Sequence, residues 1–331
     1  MIRIKRIVIV LVLFLSFLPA YELQVVYAQD KPILRVGYLP LLPQLPLVVS
    51  YENDRRSFEK IEIKLVRYNS FTSLEAALRV QAVDVASIPV PIALCMAADG
   101  HKIKIIGTCH MGGSRLVART KGGLETVKGK LIGVPGLDSN ENLRLSQALG
   151  AMNLRPGLDY KTIEVSFNSV IEDLKAGKLD GLYLPEPFGT MAEEENTASA
   201  VNGQKNQLTG VLGTVLVIRS EILKKGKAGV KEWLNSLVKS CRLIETDVKQ
   251  SGAKQTAIIQ TSYFSLPQKI VADCLVQRKG DLRFDHFLPD LEEIKQYMDL
   301  ALQMKILNQS VDIDTLVSVE LMVKAAKGDG S

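Results

Sequence analysis

The chain has 331 residues, 47% of them apolar and 23% charged, with a formal net charge of +5. That length exceeds what a single hydrophobic core usually fills and suits two lobes, while the composition excludes a disordered or collagen-like chain. Removing the three basic and one acidic side chains of the first 28 residues leaves 38 basic against 35 acidic, or +3. So small a surplus argues against a nucleic-acid partner.

Met1–Ala28 reads as a secretory signal. It opens on Arg3, Lys5 and Arg6, continues through the apolar run Ile7–Ala20 and ends in Val26-Tyr27-Ala28, with small residues at the cleavage positions. The run is short for a bilayer span, so cleavage is expected after Ala28. No second apolar span follows, and no lipobox cysteine stands at the junction. The expectation is a soluble protein in the periplasm.

The first predicted strand is Ile33–Leu39, ILRVGYL. It runs into a loop in which Pro40, Pro43 and Pro46 recur at every third position. Proline neither donates to a ladder nor sits inside a helix. A buried strand therefore gives way to a short, stiff, nearly uncharged loop. Pro46 can open the next helix, where its missing N–H costs nothing.

Residues 67–91 laid over 163–187 without a gap share Ser70/Ser166, Phe71/Phe167, Ser73/Ser169, Leu78/Leu174, Asp84/Asp180, Pro89/Pro185 and Pro91/Pro187. At the same offset of 96, Arg35-Val36-Gly37 falls on Leu131-Ile132-Gly133. Each copy reads as strand, helix, strand. Capping boxes at Thr72-x-x-Glu75 and Ser169-x-x-Glu172 open the helices. Val83–Ile88 and Leu179–Leu184 close the units ahead of Pro-x-Pro loops. A short return of this kind makes a right-handed parallel βαβ unit. Two α/β lobes are predicted, each a mostly parallel sheet flanked by helices.

Ligands of open parallel sheets sit beyond the carboxyl ends of the strands. In the first unit those ends are Leu39–Pro46, Tyr68–Thr72 and Ile88–Pro91. In the second they are Gly136–Asn142, Ser166–Ser169 and Leu184–Phe188. The triple-proline loop becomes one wall of a cleft between the lobes, and its stiffness lowers the ordering cost of closing on a ligand.

The chain is expected to cross between lobes at His110-Met111-Gly112-Gly113-Ser114, between strands Ile103–Thr108 and Arg115–Ala118. The paired glycines suit a hinge or a close backbone approach. The return is expected near Gly210–Thr214, ahead of strand Val215–Arg219. The first lobe then comprises residues 29–113 with 214–331, and the second comprises 114–213. The tail has helical period: Lys231–Val248 places Trp233, Leu237 and Ile244 on one face, and Leu291–Leu307 is similar. It is expected to pack on the first lobe, with Lys324–Ser331 frayed.

Cys95, Cys109, Cys241 and Cys274 form no CxxC motif. Export permits disulfides, with Cys95–Cys109 and Cys241–Cys274 the pairs nearest in sequence; buried free thiols are the alternative. His101, His110 and His286 lie far apart without partners at metal-ligand spacing, which argues against zinc. No metal or cofactor is expected.

These pieces together resemble the substrate-binding proteins of ABC importers in the nitrate/sulfonate/bicarbonate family, which also takes taurine and aliphatic sulfonates. The matching stretches are GYLP at Gly37–Pro40, VDVASIPVP at Val83–Pro91, GKLIGVPG with SNENL at Lys130–Gly136 and Ser139–Leu143, and LDGLYLPEPF at Leu179–Phe188. They span about residues 33–220. The resemblance implies a two-lobe periplasmic binding protein (type II, "Venus flytrap") with no catalysis. A small polar or anionic solute binds between the lobes, the lobes close, and the closed monomer docks on an inner-membrane permease.

The ligand-binding candidates follow the strand ends. They are Leu42 and Gln44; Tyr68, Asn69, Ser70 and Phe71; Ser87, Ile88 and Pro89; the crossing residues His110, Met111 and Gly112; then Gly136, Asp138, Ser139 and Asn140; and Glu186 with Pro187. In GVPGLDSNENL a glycine turn follows a strand and Asp138 or Ser139 caps a helix, whose N-terminal N–H groups favour an anion. A carboxylate at Asp138 competes with such an anion. It is read either as a cap alone or as selecting a ligand with an amine. Glu186 is read as structural or as a ligand contact, and His110 as an ordinary polar group or a pH-sensitive contact. The cationic candidates are only Arg67 and Arg115, which argues against a strongly basic anion trap.

Two other functions share this fold reading: a sensory module for a membrane receptor, and an enzyme of the thiamine-pyrimidine or menaquinone-precursor type. No Ser-His-Asp, Cys-His or paired-carboxylate arrangement stands out by spacing. No enzyme activity is expected.

Overall fold

The computed structural model describes residues 31–203 and 207–328. The signal segment read at Met1–Ala28 lies outside them. Two five-stranded sheets form the framework. The first takes β1 (Ile33–Tyr38), β2 (Glu62–Arg67), β3 (Val85–Pro89), β4 (Ile103–Gly107) and β10 (Thr214–Arg219) in the order β2-β1-β3-β10-β4. The second takes β5 (Ser114–Ala118), β6 (Leu131–Val134), β7 (Lys161–Glu164), β8 (Gly181–Pro185) and β9 (Ser199–Ala200) in the order β7-β6-β8-β5-β9. Both sheets are mixed. One strand of each, β10 or β5, runs against its neighbours, and the other pairings are parallel. Helices flank each sheet, and β3 and β8 are buried along their whole length.

The internal repeat survives to the level of register. Val36 pairs with Val85 and Gly37 with Ala86; 96 residues later Ile132 pairs with Gly181 and Gly133 with Leu182. The shared Asp84/Asp180 has the same task in both lobes. Asp84 accepts a hydrogen bond from Arg35 N at 3.0 Å, and Asp180 accepts one from Leu131 N at 2.9 Å. Each acid returns its own N–H to the carbonyl of the same residue. The side chain thus satisfies a backbone donor that the ladder leaves unpaired.

Both predicted capping boxes need correction. Helix Phe71–Arg79 starts at Ser70, whose hydroxyl accepts from Ser73 N at 3.1 Å while the Ser73 hydroxyl accepts from Ser70 N at 3.3 Å. The backbone at Ser70 is extended (φ −153°, ψ 157°), as a cap requires. Thr72 already lies in the first helical turn, and its hydroxyl donates to Glu164 of the second sheet at 2.7 Å. Ser169 does stand at the start of helix Val170–Lys175, but its hydroxyl donates to Asp173 at 3.0 Å instead of capping.

The tail reaches further than the first sheet. Helix Lys227–Ser251 buries Trp233, Leu237 and Ile244 as their spacing predicts, and packs along helix Leu45–Asp54. Helix Leu291–Gln303, however, lies against both Val90–Ala98 and Asn140–Gly150. Arg144 and Glu293 pair there at 2.5 Å, and the Arg144 guanidinium stands 4.6 Å over the Tyr297 ring. Helix Gln268–Val276 likewise touches Phe188–Glu194, with Lys269 and Glu194 3.1 Å apart. Lys324–Lys327, expected to be frayed, belong to a closing helix, Glu320–Lys327, that buries Leu321, Met322 and Ala325. Asp329–Ser331 lie outside the described residues.

All four cysteines are unbridged, and Cys241 Sγ donates to the Cys109 carbonyl at 3.5 Å. Among the described residues no helix is long and apolar enough to cross a membrane, and no three His, Cys, Asp or Glu side chains gather in a metal-holding group.

Candidate functional site

The loops after β1, β2 and β6 and the ends of β3 and β8 converge between the two sheets. They enclose a cavity of about 10 Å³, room for about one water molecule. The triple-proline segment supplies Leu41, Pro43 and Gln44 to its wall. Phe71 and Pro89 come from the first sheet's side, Ser114, Asn140, Glu141 and Pro185 from the second's, and His110, Gly213 and Thr214 from the two crossing segments. A second cavity of the same size shares Ser114, Asn140 and Glu141 and adds Gly112, Tyr183 and Tyr297. Larger depressions of about 430 and 640 Å³ lie elsewhere, around Lys102 and Lys224 of the first sheet's side. They are open and draw on one sheet, whereas the small cavities draw on both.

The proline loop does what its stiffness suggested. Leu42–Gln44 form a single tight turn, and Pro46 sits in the first turn of helix Leu45–Asp54. Leu42 N donates to the Glu186 carbonyl at 3.0 Å, joining the two walls. Gln44 is fully engaged on its own side: Oε1 accepts from Leu39 N at 2.8 Å and Nε2 donates to the Ser87 carbonyl at 3.1 Å. Pro43 presses on Gly113, where an added Cβ would lie 2.9 Å from Pro43 Cγ, and Gly113 also has φ +95°. That close approach requires glycine.

His110 ties the outgoing and returning segments together. Nε2 accepts from Thr214 N at 3.2 Å and lies 2.8 Å from Thr214 Oγ1, while Nδ1 lies 3.2 Å from the Gly112 carbonyl. The acceptor role of Nε2 assigns the proton to Nδ1, which donates to that carbonyl. Ser87 extends the chain through its contact with Thr214 Oγ1. Burial pulls the His110 pKa down to about 4.

Asn140 spans the gap. Its Oδ1 accepts from Val90 N at 3.0 Å, at the start of a first-lobe helix, and its Nδ2 donates to the Leu212 carbonyl at 3.1 Å. Ser139 is the cap of helix Asn140–Gly150, accepting from Asn142 N at 3.2 Å. Asp138 does not cap. It lies half-buried at the edge of the cleft, its carboxyl raised above the ordinary value by burial and by Glu75. Glu186 is wholly buried and engaged within its own lobe. Oε1 accepts from Arg115 Nε at 2.7 Å and Oε2 from Thr190 N at 3.0 Å. Arg115 also pairs with Glu193 at 3.0 Å.

Of the candidates, Gln44, Phe71, Pro89, His110 and Asn140 line the first cavity and Gly112 the second. Leu42, Ser87 and Ile88 stand directly behind that wall in the same segments. Phe71 meets Phe167 edge-on at 6.2 Å, and Phe167 stacks on Phe188 at 5.2 Å, so apolar packing runs from one lobe into the other. Tyr68, Asn69, Ser70, Met111, Gly136, Asp138, Ser139, Glu186 and Pro187 border neither cavity.

Among the cavity residues outside the sequence-predicted set, which also include Pro43, Ser114, Thr214 and Tyr297, Glu141 is the acidic one. It is 5% exposed and borders both cavities, with Oε1 accepting from the Ser114 hydroxyl at 2.7 Å. Its signal was positional: it lies in the first turn of the helix whose start faces the carboxyl ends of the strands. Burial raises its carboxyl above the ordinary value, against the Ser114 hydroxyl and weaker local hydrogen bonding.

Two matched mixed sheets with a small cavity between their strand ends define the two-lobe periplasmic binding protein fold. The nitrate-binding protein NrtA of Synechocystis has this fold at a TM-score of 0.79, with 14% identity over 90% of this chain and 89% of that one. The alkanesulfonate-binding protein SsuA of Xanthomonas axonopodis, solved with MOPS, has it at 0.72, with 18% identity over 88% of this chain and all of that one. The chain belongs to the NMT1-like family, which matches residues 27–260. It is also 23% identical over 263 residues to the bicarbonate transport ATP-binding protein CmpC of Synechococcus elongatus. That match covers 73% of this chain and 40% of CmpC, so the chain spans about two fifths of that relative's length.

Proposed function

We propose that this chain is the periplasmic solute-binding component of an ABC importer. It is exported by the segment Met1–Ala28, cut after Ala28, and works as a soluble monomer that catalyses no reaction. Residues 29–113 with 214–331 act as one lobe and 114–213 as the other. They close on a small solute and present the closed form to a membrane permease. The observation that carries the reading is the cavity built from the strand ends of both lobes. The transport role is supported by the similarity to the nitrate-binding protein NrtA, the alkanesulfonate-binding protein SsuA and the bicarbonate transport ATP-binding protein CmpC. The test is to saturate the protein from Gln29 with a solute that raises its melting temperature, then release and analyse the solute. Recovery of the same molecule is expected; a converted product would overturn the reading.

A further inference from the structure

Three buried side-chain polar atoms among the described residues have no hydrogen-bond partner: Glu141 Oε2, Arg144 Nε and Ser240 Oγ. Arg144 stacks on Tyr297, and Ser240 sits on helix Lys227–Ser251 behind the first sheet. Only Glu141 borders the inter-lobe cavities. The Ser139 hydroxyl lies near enough to stabilise its charge slightly, without reaching hydrogen-bond geometry to Oε2. A buried carboxylate oxygen without a donor is costly, and where one persists it asks for a functional explanation.

The rest of the lining limits what can answer it. Gln44, His110 and Asn140 have their polar atoms committed to protein partners. The remaining wall near Glu141 is largely apolar, with Phe71, Pro43, Pro89 and Pro185. No lysine or arginine borders either cavity. Arg115 and Arg144, the buried arginines of that lobe, are held by carboxylates: Arg115 by Glu186 and Glu193 at 2.7 and 3.0 Å, and Arg144 by Glu293 at 2.5 Å. An oxyanion placed here would face a carboxyl group and meet no positive charge. An N–H donor would satisfy the one open acceptor. Because the Ser114 hydroxyl already occupies Oε1, a single N–H suits the site better than a guanidinium fork, which needs both oxygens.

Resting on the solute-binding reading above, we propose that Glu141 sets the specificity of the cleft and selects a solute that carries an amino group on a compact, apolar or flat body. Oε2 accepts the amino N–H, and Phe71 with the three prolines packs the body. Burial disfavours a lone charge on Glu141, and a protonated amine restores the balance when it arrives.

The test uses the full chain from Gln29, with benzylamine and 4-aminopyrimidine as amine probes and nitrate, bicarbonate and methanesulfonate as anion probes. Affinity is read by calorimetry for wild type, Glu141→Gln and Glu141→Asp, with far-ultraviolet circular dichroism to establish folding. The expected result is binding of an amine probe and no anion, with a loss of tenfold or more in Glu141→Gln and a smaller loss in Glu141→Asp. Amine binding unchanged by Glu141→Gln overturns the inference and leaves the solute-binding reading intact. So does binding of an anion probe that Glu141→Gln preserves or strengthens. Silence toward every probe in a folded wild type also overturns the inference, while the solute-recovery experiment still tests the binding reading separately.

Discussion

Replacing His110 by asparagine isolates a stability that depends on pH. The neutral imidazole joins the two crossing segments through Thr214 and the Gly112 carbonyl. Its pKa falls from 6.5 to about 4 on folding, because burial penalises the cation. The unfolded chain therefore binds a proton more readily than the folded one. Stability from this group is complete above the unfolded value and declines as pH falls from 6.5 toward 4, where the decline stops. For a pKa of about 4, the loss between pH 8 and pH 5 comes to ~2 kcal/mol, approaching ~3 kcal/mol at still lower pH. Glu141 acts in the opposite sense: its raised carboxyl favours the folded state as pH falls, and it is present in both proteins. It therefore cancels in the difference between wild type and His110→Asn. Urea unfolding of both proteins at pH 8, 6.5 and 5 should show the wild-type advantage shrinking by ~2 kcal/mol across that range. A difference that stays flat would refute the neutral, buried assignment of His110.

Other substitutions have outcomes that the geometry sets. Glu186→Gln leaves Arg115 buried with a weakened partner set, and a cost of ~3 kcal/mol is expected in urea unfolding; a loss under 1 kcal/mol would remove the pair from the lobe's structural core. Ser139→Ala should cost ~1 kcal/mol as the loss of a helix cap. Asp138→Asn should change stability by no more than ~0.5 kcal/mol, and the reverse ranking in thermal unfolding would restore Asp138 as the cap. Asn140→Ala removes an acceptor for Val90 N and a donor to the Leu212 carbonyl. A loss of ~2 kcal/mol is expected, with faster amide exchange at Val90 as the specific sign.

Much of the framework was legible because it depends on local chemistry. The offset of 96 aligned Asp84 with Asp180 and Gly37 with Gly133, and the sheets pair in the same register at those places. The proline loop was legible for the same reason, since proline leaves a strand few alternatives. The capping boxes at Thr72 and Ser169 misled because spacing alone does not reveal which residue keeps an extended backbone; that residue is Ser70. Side-chain commitments were beyond reach as well. For Glu186 the sequence leaves a structural role and a ligand contact both open, and Arg115 and Thr190 enclose its carboxylate within the fold. Glu141 was masked by its neighbours Asp138 and Ser139, because only the folded chain shows which carboxyl turns inward. The tail was assigned to the first lobe from its helical period. The contacts of Glu293 and Lys269 with the second lobe come from tertiary packing that no periodicity encodes.

The cavity holds about 10 Å³ between two lobes joined by Thr72–Glu164, Asn140–Val90 and Arg144–Glu293. On the proposed solute-binding role, entry of a solute requires these contacts to part and closure restores them. Small-angle X-ray scattering of the protein from Gln29, free and saturated with a stabilising solute, tests this directly. The free protein should have a larger radius of gyration, which decreases on saturation toward the value calculated from the closed structure. An identical radius in both states, with binding shown independently, would contradict a cleft that opens and closes around its solute.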